Sequence, residues 1–253
     1  MAAISPPLAV SSWSLHRALG LTFPNRPDAD VAMPAPQPTY GNGRISLFDM
    51  PDVVRKLGID RAEICSFHIA SRDPGYLAEL RAAFAASGVA LQTLLVEYGD
   101  ITNPATAERD LAWIGRWIET AAELGAEQAR VIAGKALPSA EALDRSAAGL
   151  RRLARQGEAF GVRVVTENWF DLLSSPADVH GLFDRLDGAV GLNGDFGNWS
   201  GPGKYEDLEA IFGLAVCCHA KGDFSVGALD TEDYAACLAA ATAAGFRGPY
   251  TLI

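Results

Sequence analysis

Three polar residues close apolar runs in the second half of the chain. Glu167 ends VRVVTE, Asp195 ends AVGLNGD and His219 ends LAVCCH. Two carboxylates and an imidazole form a donor set for a borderline-to-hard divalent ion such as Mn, Mg, Co or Zn. The three lie 28 and 24 residues apart, each interval about one strand–helix–strand crossover of ~30 residues. Strands so spaced run parallel, and in a closed barrel their ends converge on one face. Trp13, His68, Glu97, Lys135 and Lys221 hold comparable strand-end positions. Strand side chains alternate, so His219 and Lys221 share a face, as do Glu167 and Trp169. Singly, each has an ordinary structural explanation. A strand-end histidine is more often a hydrogen-bonded structural residue, and Asp195 before Phe-Gly-Asn reads equally as a turn. Three in register across consecutive units point to a shared site.

Positioning these residues requires a repeating unit, and the chain is punctuated as one. A helical pattern ends, glycine appears and an apolar strand follows at Gly58, Gly88, Gly125, Gly161, Gly188 and Gly245. Glycine suits a helix end because it enters positive φ without penalty. With Leu8–Leu15 and the LAVCCHAK run, eight strands alternate with helices, the pattern of a parallel sheet. The expected fold class is α/β, a single (β/α)8 TIM barrel over residues 1–253. No Gly-rich phosphate loop follows the first strand, which weighs against an open doubly wound sheet. The first helix is expected to start at Ser46, with Asp49 as its capping partner and Leu47, Met50, Val53, Val54 and Leu57 inward. Ser175 and Thr231 are expected as N-caps of later helices. Residues 16–45 form a long Pro-rich connector, read as a lid over the mouth or a surface insertion. The last strand, PYTLI, is followed by no helix, so the barrel is expected to lack its final helix, and a second copy of the chain is one candidate cover for that flank.

The 253 residues match one barrel of typical size. A net charge of −10 opposes nucleic acid or an anionic membrane as main partner. Cys65, Cys217, Cys218 and Cys237 form no Cys-x-x-Cys pair and read as buried free thiols of a reducing compartment. MAAISPPLAV lacks the basic-then-apolar pattern of a leader, and no run has membrane-span length. A cytoplasmic protein is expected.

The segments VVTENW, GLNGDFGNW and VCCHAKGDF, with the long first connector and LLVEYGD, resemble the sugar phosphate isomerase/epimerase family built on the xylose isomerase-like TIM barrel. The resemblance covers nearly the whole chain, and His-Ala-Lys is its most specific element. It implies a divalent-metal-dependent isomerase or epimerase of a sugar, sugar phosphate or related polyol, acting through an enediolate. Residue by residue, it implies Glu167, Asp195 and His219 as metal ligands, Glu167 also as proton-transfer base, and Lys221 as an oxyanion or proton-donor partner. Trp13, His68, Glu97, Trp169 and Asn198 would line the substrate pocket. Two departures stand out. Asn198 replaces a histidine found in many relatives, and the strand-eight glutamate, the expected fourth ligand, is absent, Ile253 lying at or just before its place. Three ligands with water could still hold an ion. The competing readings are a non-catalytic sugar-binding barrel without bound metal, and a keto-polyol dehydratase on the same scaffold. The acidic charge and only four histidines weigh against the endonuclease branch of the superfamily.

Overall fold

All six glycine junctions take up positive φ, from 65° at Gly88 to 82° at Gly245, and each turns a helix into a strand. The computed structural model describes residues 6–225 and 227–253. Half of the N-terminal stretch read above for a leader lies outside the described residues.

Eight parallel strands run in chain order around a closed barrel. They are β1 Leu8–Ser11, β2 Arg61–Cys65, β3 Ala90–Leu95, β4 Gln128–Arg130, β5 Arg163–Glu167, β6 Gly191–Asp195, β7 Ala215–Ala220 and β8 Tyr250–Leu252. Closure pairs Ala9 of β1 with Thr251 of β8. The first connection holds a single helical turn, α1 His16–Leu19, and then α2 Met50–Lys56. The remaining crossovers carry α3 Pro74–Ser87, α4 Ala107–Leu124, α5 Ala140–Phe160, α6 Pro176–Leu186, α7 Lys204–Phe212 and α8 Thr231–Ala243. β8 is the last element.

Alternation along the strands divides the interior into two unlike zones. Outward residues such as Ile64, Leu94, Val164 and Leu192 join the helix faces of Trp113, Trp117, Leu150 and Phe212 in one buried apolar core. Each such side chain contributes about 1.5–3 kcal/mol on burial. Inward residues are largely polar, among them Glu63, Gln92, Arg130, Glu167, Asn193 and His219, all buried. The barrel is therefore held from outside by the helix layer, and its centre is free to carry hydrogen-bonded chemistry.

Local details depart from the sequence reading at three places. β1 stops at Ser11 rather than Leu15, because the chain turns there: Trp13 N–H donates to Ser11 Oγ at 3.1 Å and His16 N–H to the Trp13 carbonyl at 3.0 Å. The first long helix starts at Met50, not Ser46. The Asp49 carboxylate accepts from Ser46 N–H and Oγ–H at 2.8 and 2.7 Å, folding a turn ahead of the helix, and Leu57 beyond its end is 61% exposed. The cap of α8 is Asp230, which accepts from the N–H groups of Glu232 and Asp233, so Thr231 is the first helical residue. A carboxylate one step earlier takes the role, being both acceptor and a charge that suits a helix start. Ser139 and Ser175 cap α5 and α6 through their hydroxyls. All four cysteines are free and buried. Among the described residues no helix is long and apolar enough to cross a membrane.

Candidate metal centre

β5, β6 and β7 are neighbours, and their register sets Glu167 beside Asn193 and Asp195 beside His219. The inward ends of three adjacent strands thus meet. One ligand atom from each of Glu167, Asp195 and His219 lies within 4.8 Å of the others, and all three residues are buried. His219 Nδ1 stands 3.4 Å from Glu167 Oε2 and 3.5 Å from Asp195 Oδ2. Separations of this size are what a small cation bridges.

Each of the three is held by its surroundings. Glu167 Oε1 accepts from Asn198 Nδ2 at 2.7 Å, and Oε2 from Asn193 Nδ2 at 3.2 Å. Asp195 Oδ1 accepts from Gly197 N–H at 2.6 Å, which leaves Oδ2 turned toward His219. The second imidazole nitrogen, His219 Nε2, meets Glu63 Oε2 at 3.0 Å.

A fully buried guanidinium completes the cluster. Arg130 Nη2 donates to Glu97 Oε1 at 2.9 Å, its Nε lies 3.2 Å from Glu167 Oε2, and its Nη1 has no hydrogen-bond partner. The same guanidinium packs on the Trp169 ring at 5.0 Å. Burial alone would raise the Glu167 pKa, but His219 and Arg130 hold it down at about 2. Burial likewise disfavours a charged His219, yet Glu167 and Glu63 overcome it and push that imidazole well above its ordinary value. Four carboxyl groups, Glu63, Glu97, Glu167 and Asp195, converge here with the Arg130 guanidinium, the Lys221 side chain and the His219 imidazole. Buried carboxylates are unfavourable unless paired, and here Arg130 and His219 pair with them. The donor set and its spacing fit a divalent ion held by Glu167, Asp195 and His219.

These three residues line a cavity of about 310 Å³, at the small end of the range for ligand sites, about 300–1,000 Å³. Trp13, Glu97, Trp169, Asn198 and Lys221 line it too, as does Ile253 at the end of the chain. His68, expected in the same pocket, is not among its lining residues. The strand gives way after Cys65 to a 3-10 turn at Ser66–His68, which breaks the alternation. Phe67 faces the cavity, while His68 lines a separate cleft beside Phe23, Phe48 and Tyr76. His68 Nδ1 pairs there with Ser12 Oγ at 2.8 Å, and burial, with His16 adding to it, lowers its pKa to about 3.

The long first connector is a compact loop with a pinched neck. A Cβ on Gly20 would stand 2.1 Å from the Gly43 nitrogen, so glycine is required where the two strands of the neck cross. Thr22 and Gln37 exchange backbone hydrogen bonds just beyond. Asn25 Oδ1 accepts from the buried Trp113 Nε1 at 2.7 Å, and Asp30 pairs with Arg72 and Arg116. Tyr40 sits edge-on to Trp13, 6.1 Å between centroids, tying the loop to the cavity wall.

Sequence reasoning passed over Glu63 and Arg130. Glu63 lies inside RAEIC and Arg130 closes QAR, and a charge in a barrel strand is out of place unless it points into a polar centre. That anomaly was the available signal. It also passed over Asn193, Phe67 and Tyr98.

Comparison with known proteins bears on the whole chain. The model of the xylose isomerase-like TIM barrel family matches residues 51–252. No curated protein matches in sequence. Among solved structures, a xylose isomerase-like TIM barrel protein from Mycobacterium smegmatis in complex with magnesium is similar at TM-score 0.67 and 19% identity, covering 98% of this chain and 90% of that one. An L-ribulose 3-epimerase gives 0.68 and 17%, with 98% and 81% covered. A D-allulose 3-epimerase from Methylomonas sp. gives 0.69 and 16%, with 100% and 86% covered. At such identities these likenesses establish the fold. The family match spans most of the chain, and the protein belongs to the xylose isomerase-like TIM barrel family.

Proposed function

We propose that this protein is a divalent-metal-dependent isomerase or epimerase of a sugar, sugar phosphate or related polyol. The observation that carries the reading is the convergence of Glu167, Asp195 and His219 within 4.8 Å on a small cavity walled by Trp13, Phe67 and Trp169. Indole faces pack against the apolar faces of sugar rings, and the polar groups between them fix orientation. The epimerase neighbours support a sugar-like substrate.

The bound ion would act as a Lewis acid, polarising a carbonyl and acidifying the adjacent carbon. Glu167 is the carboxylate that would take the proton from that carbon. Held at about 2, it stays ionised but is a weak base, so it requires an acidified substrate carbon. Asn198 and Asn193 fix its two oxygens, which sets the direction of approach. Lys221 would stand opposite the developing oxyanion and stabilise or protonate it. Glu97 and Trp169, joined through Arg130, would shape the wall that orients the substrate hydroxyls.

The test is turnover of ketopentoses and ketohexoses with added Mn²⁺ by the native protein and by Glu167→Gln. Isomer formation by the native protein alone supports the reading, and equal rates in the two remove Glu167 from the chemistry. Sugar binding without turnover would identify a non-catalytic barrel. Loss of water from a keto-polyol would identify a dehydratase.

A further inference from the structure

Glu63 is wholly buried at the middle of β2 and does not line the cavity. Its two oxygens are both engaged: Oε2 with His219 Nε2 at 3.0 Å, and Oε1 as acceptor from Gln92 Nε2 at 3.1 Å. Gln92 Nε2 also reaches Thr251 Oγ1 at 3.5 Å, and Thr251 is the register partner of His219 on β8. The contacts therefore cross the barrel from β3 and β2 to β7 and β8. His219 is the only ion-pair partner of Glu63 among the described residues. A carboxylate in such a place is unfavourable unless its interaction with that imidazole compensates.

We propose that Glu63 is the positioning residue of the metal centre, fixing the tautomer and rotation of His219 so that Nδ1 is presented to the cation. With the Glu63 carboxylate as acceptor, Nε2 carries the hydrogen. A ligating imidazole is neutral, and with its hydrogen on Nε2 the lone pair lies on Nδ1, the nitrogen that faces Glu167 and Asp195. Orientation by a second carboxylate also makes the imidazole a stronger donor. Gln92 in turn holds Glu63, so the ligand is braced from two strands outside its own neighbourhood. Glu63 touches neither the cavity nor the other two ligand side chains through any hydrogen bond. It acts through His219. The inference rests on the metal-centre reading above.

The experiment is Mn²⁺ titration of metal-free protein by calorimetry and electron paramagnetic resonance, with thermal unfolding of each protein alongside. Native protein is compared with Glu63→Gln, which keeps shape and an acceptor but loses charge, and with Glu63→Leu, which removes the acceptor. Loss of such a partner weakens metal binding by about 10- to 100-fold. The glutamine variant is expected near the lower end and the leucine variant near the upper. A purely structural Glu63 would lower the unfolding midpoint and leave the Mn²⁺ affinity of the folded protein unchanged, and that result overturns the proposal while the metal reading stands. A native protein that takes up no Mn²⁺ overturns both. Should the Glu63 variants fail to fold, Gln92→Met removes one of the two contacts holding Glu63. It is expected to weaken binding several-fold, and unchanged affinity there overturns the proposal.

Discussion

The Asn168 carboxamide makes two hydrogen bonds to the backbone of Asp195: its Oδ1 accepts from the Asp195 N–H at 2.7 Å, and its Nδ2 donates to the Asp195 carbonyl at 3.1 Å. It extends the β5–β6 ladder one step past Glu167 by side chain, where the chain of β5 has already turned away. Asn168→Ala leaves both buried backbone groups unpaired. A stability loss of about 1–3 kcal/mol for each group left unsatisfied is expected, measurable by urea unfolding. Loosening Asp195 should also weaken Mn²⁺ binding in the folded variant.

Arg130 is the internal cation of the cluster, and its charge is shared by Glu97 and Glu167. Arg130→Met removes it without a large change of volume. Removing one partner of a buried pair costs about 3–5 kcal/mol. Denaturant unfolding of the metal-free variant should show a loss of that order, smaller when Mn²⁺ is present to compensate Glu167. A loss under about 1 kcal/mol, the value of an exposed pair, would contradict the assignment.

Gly197 makes room for a lysine. A Cβ there would meet Lys221 Cδ at 2.6 Å and Cγ at 3.0 Å. These are atoms of a flexible chain, so Gly197→Ala should fold with stability within about 0.5 kcal/mol of native while displacing the ammonium from the cavity. Sugar turnover should fall at unchanged Mn²⁺ affinity. Unchanged kcat would remove Lys221 from the proposed chemistry.

His68 gives the fold an acid sensitivity with a definite sign. Its imidazole is held down to about 3 in the folded chain, chiefly by burial, against about 6.5 when unfolded. Between those values the unfolded state binds a proton that the folded state refuses, so stability falls as pH drops below 6.5. Above 6.5 the group has no effect. Between pH 7 and pH 5 its share of the loss is about 2 kcal/mol. His68→Gln should lose correspondingly less over that interval, as read by urea midpoints at the two pH values.

The loop over the first connection is tied down by Asn25 and Trp113. Asn25→Ala leaves the buried indole N–H unpaired and frees the loop tip. It should raise KM for a sugar substrate more than it lowers kcat, because Tyr40 of the loop packs on Trp13 rather than on the buried carboxylates.

The barrel was legible because six of the seven crossovers end on a glycine, and all six glycines take positive φ. The convergence of Glu167, Asp195 and His219 was legible because each is a polar residue closing an apolar run, one crossover apart. Alternation failed where the backbone leaves the strand. The 3-10 turn after Cys65 sends Phe67 to the cavity and His68 to another cleft. Glu63 and Arg130 escaped notice for a different reason. The charge within each strand was a visible anomaly, but their partners His219 and Glu167 lie far along the chain and nothing local names them. Cap positions slipped by one residue where Asp230 stood next to Thr231, since either can accept from the first turn.

The proposed function depends most on one cation bound by Glu167, Asp195 and His219. The most direct measurement is an anomalous difference map from crystals soaked in Mn²⁺. A single strong peak is expected within about 2.0–2.2 Å of a carboxylate oxygen of Glu167, one of Asp195 and Nδ1 of His219. An empty site at high Mn²⁺ concentration, or a peak bound through other residues, would contradict it.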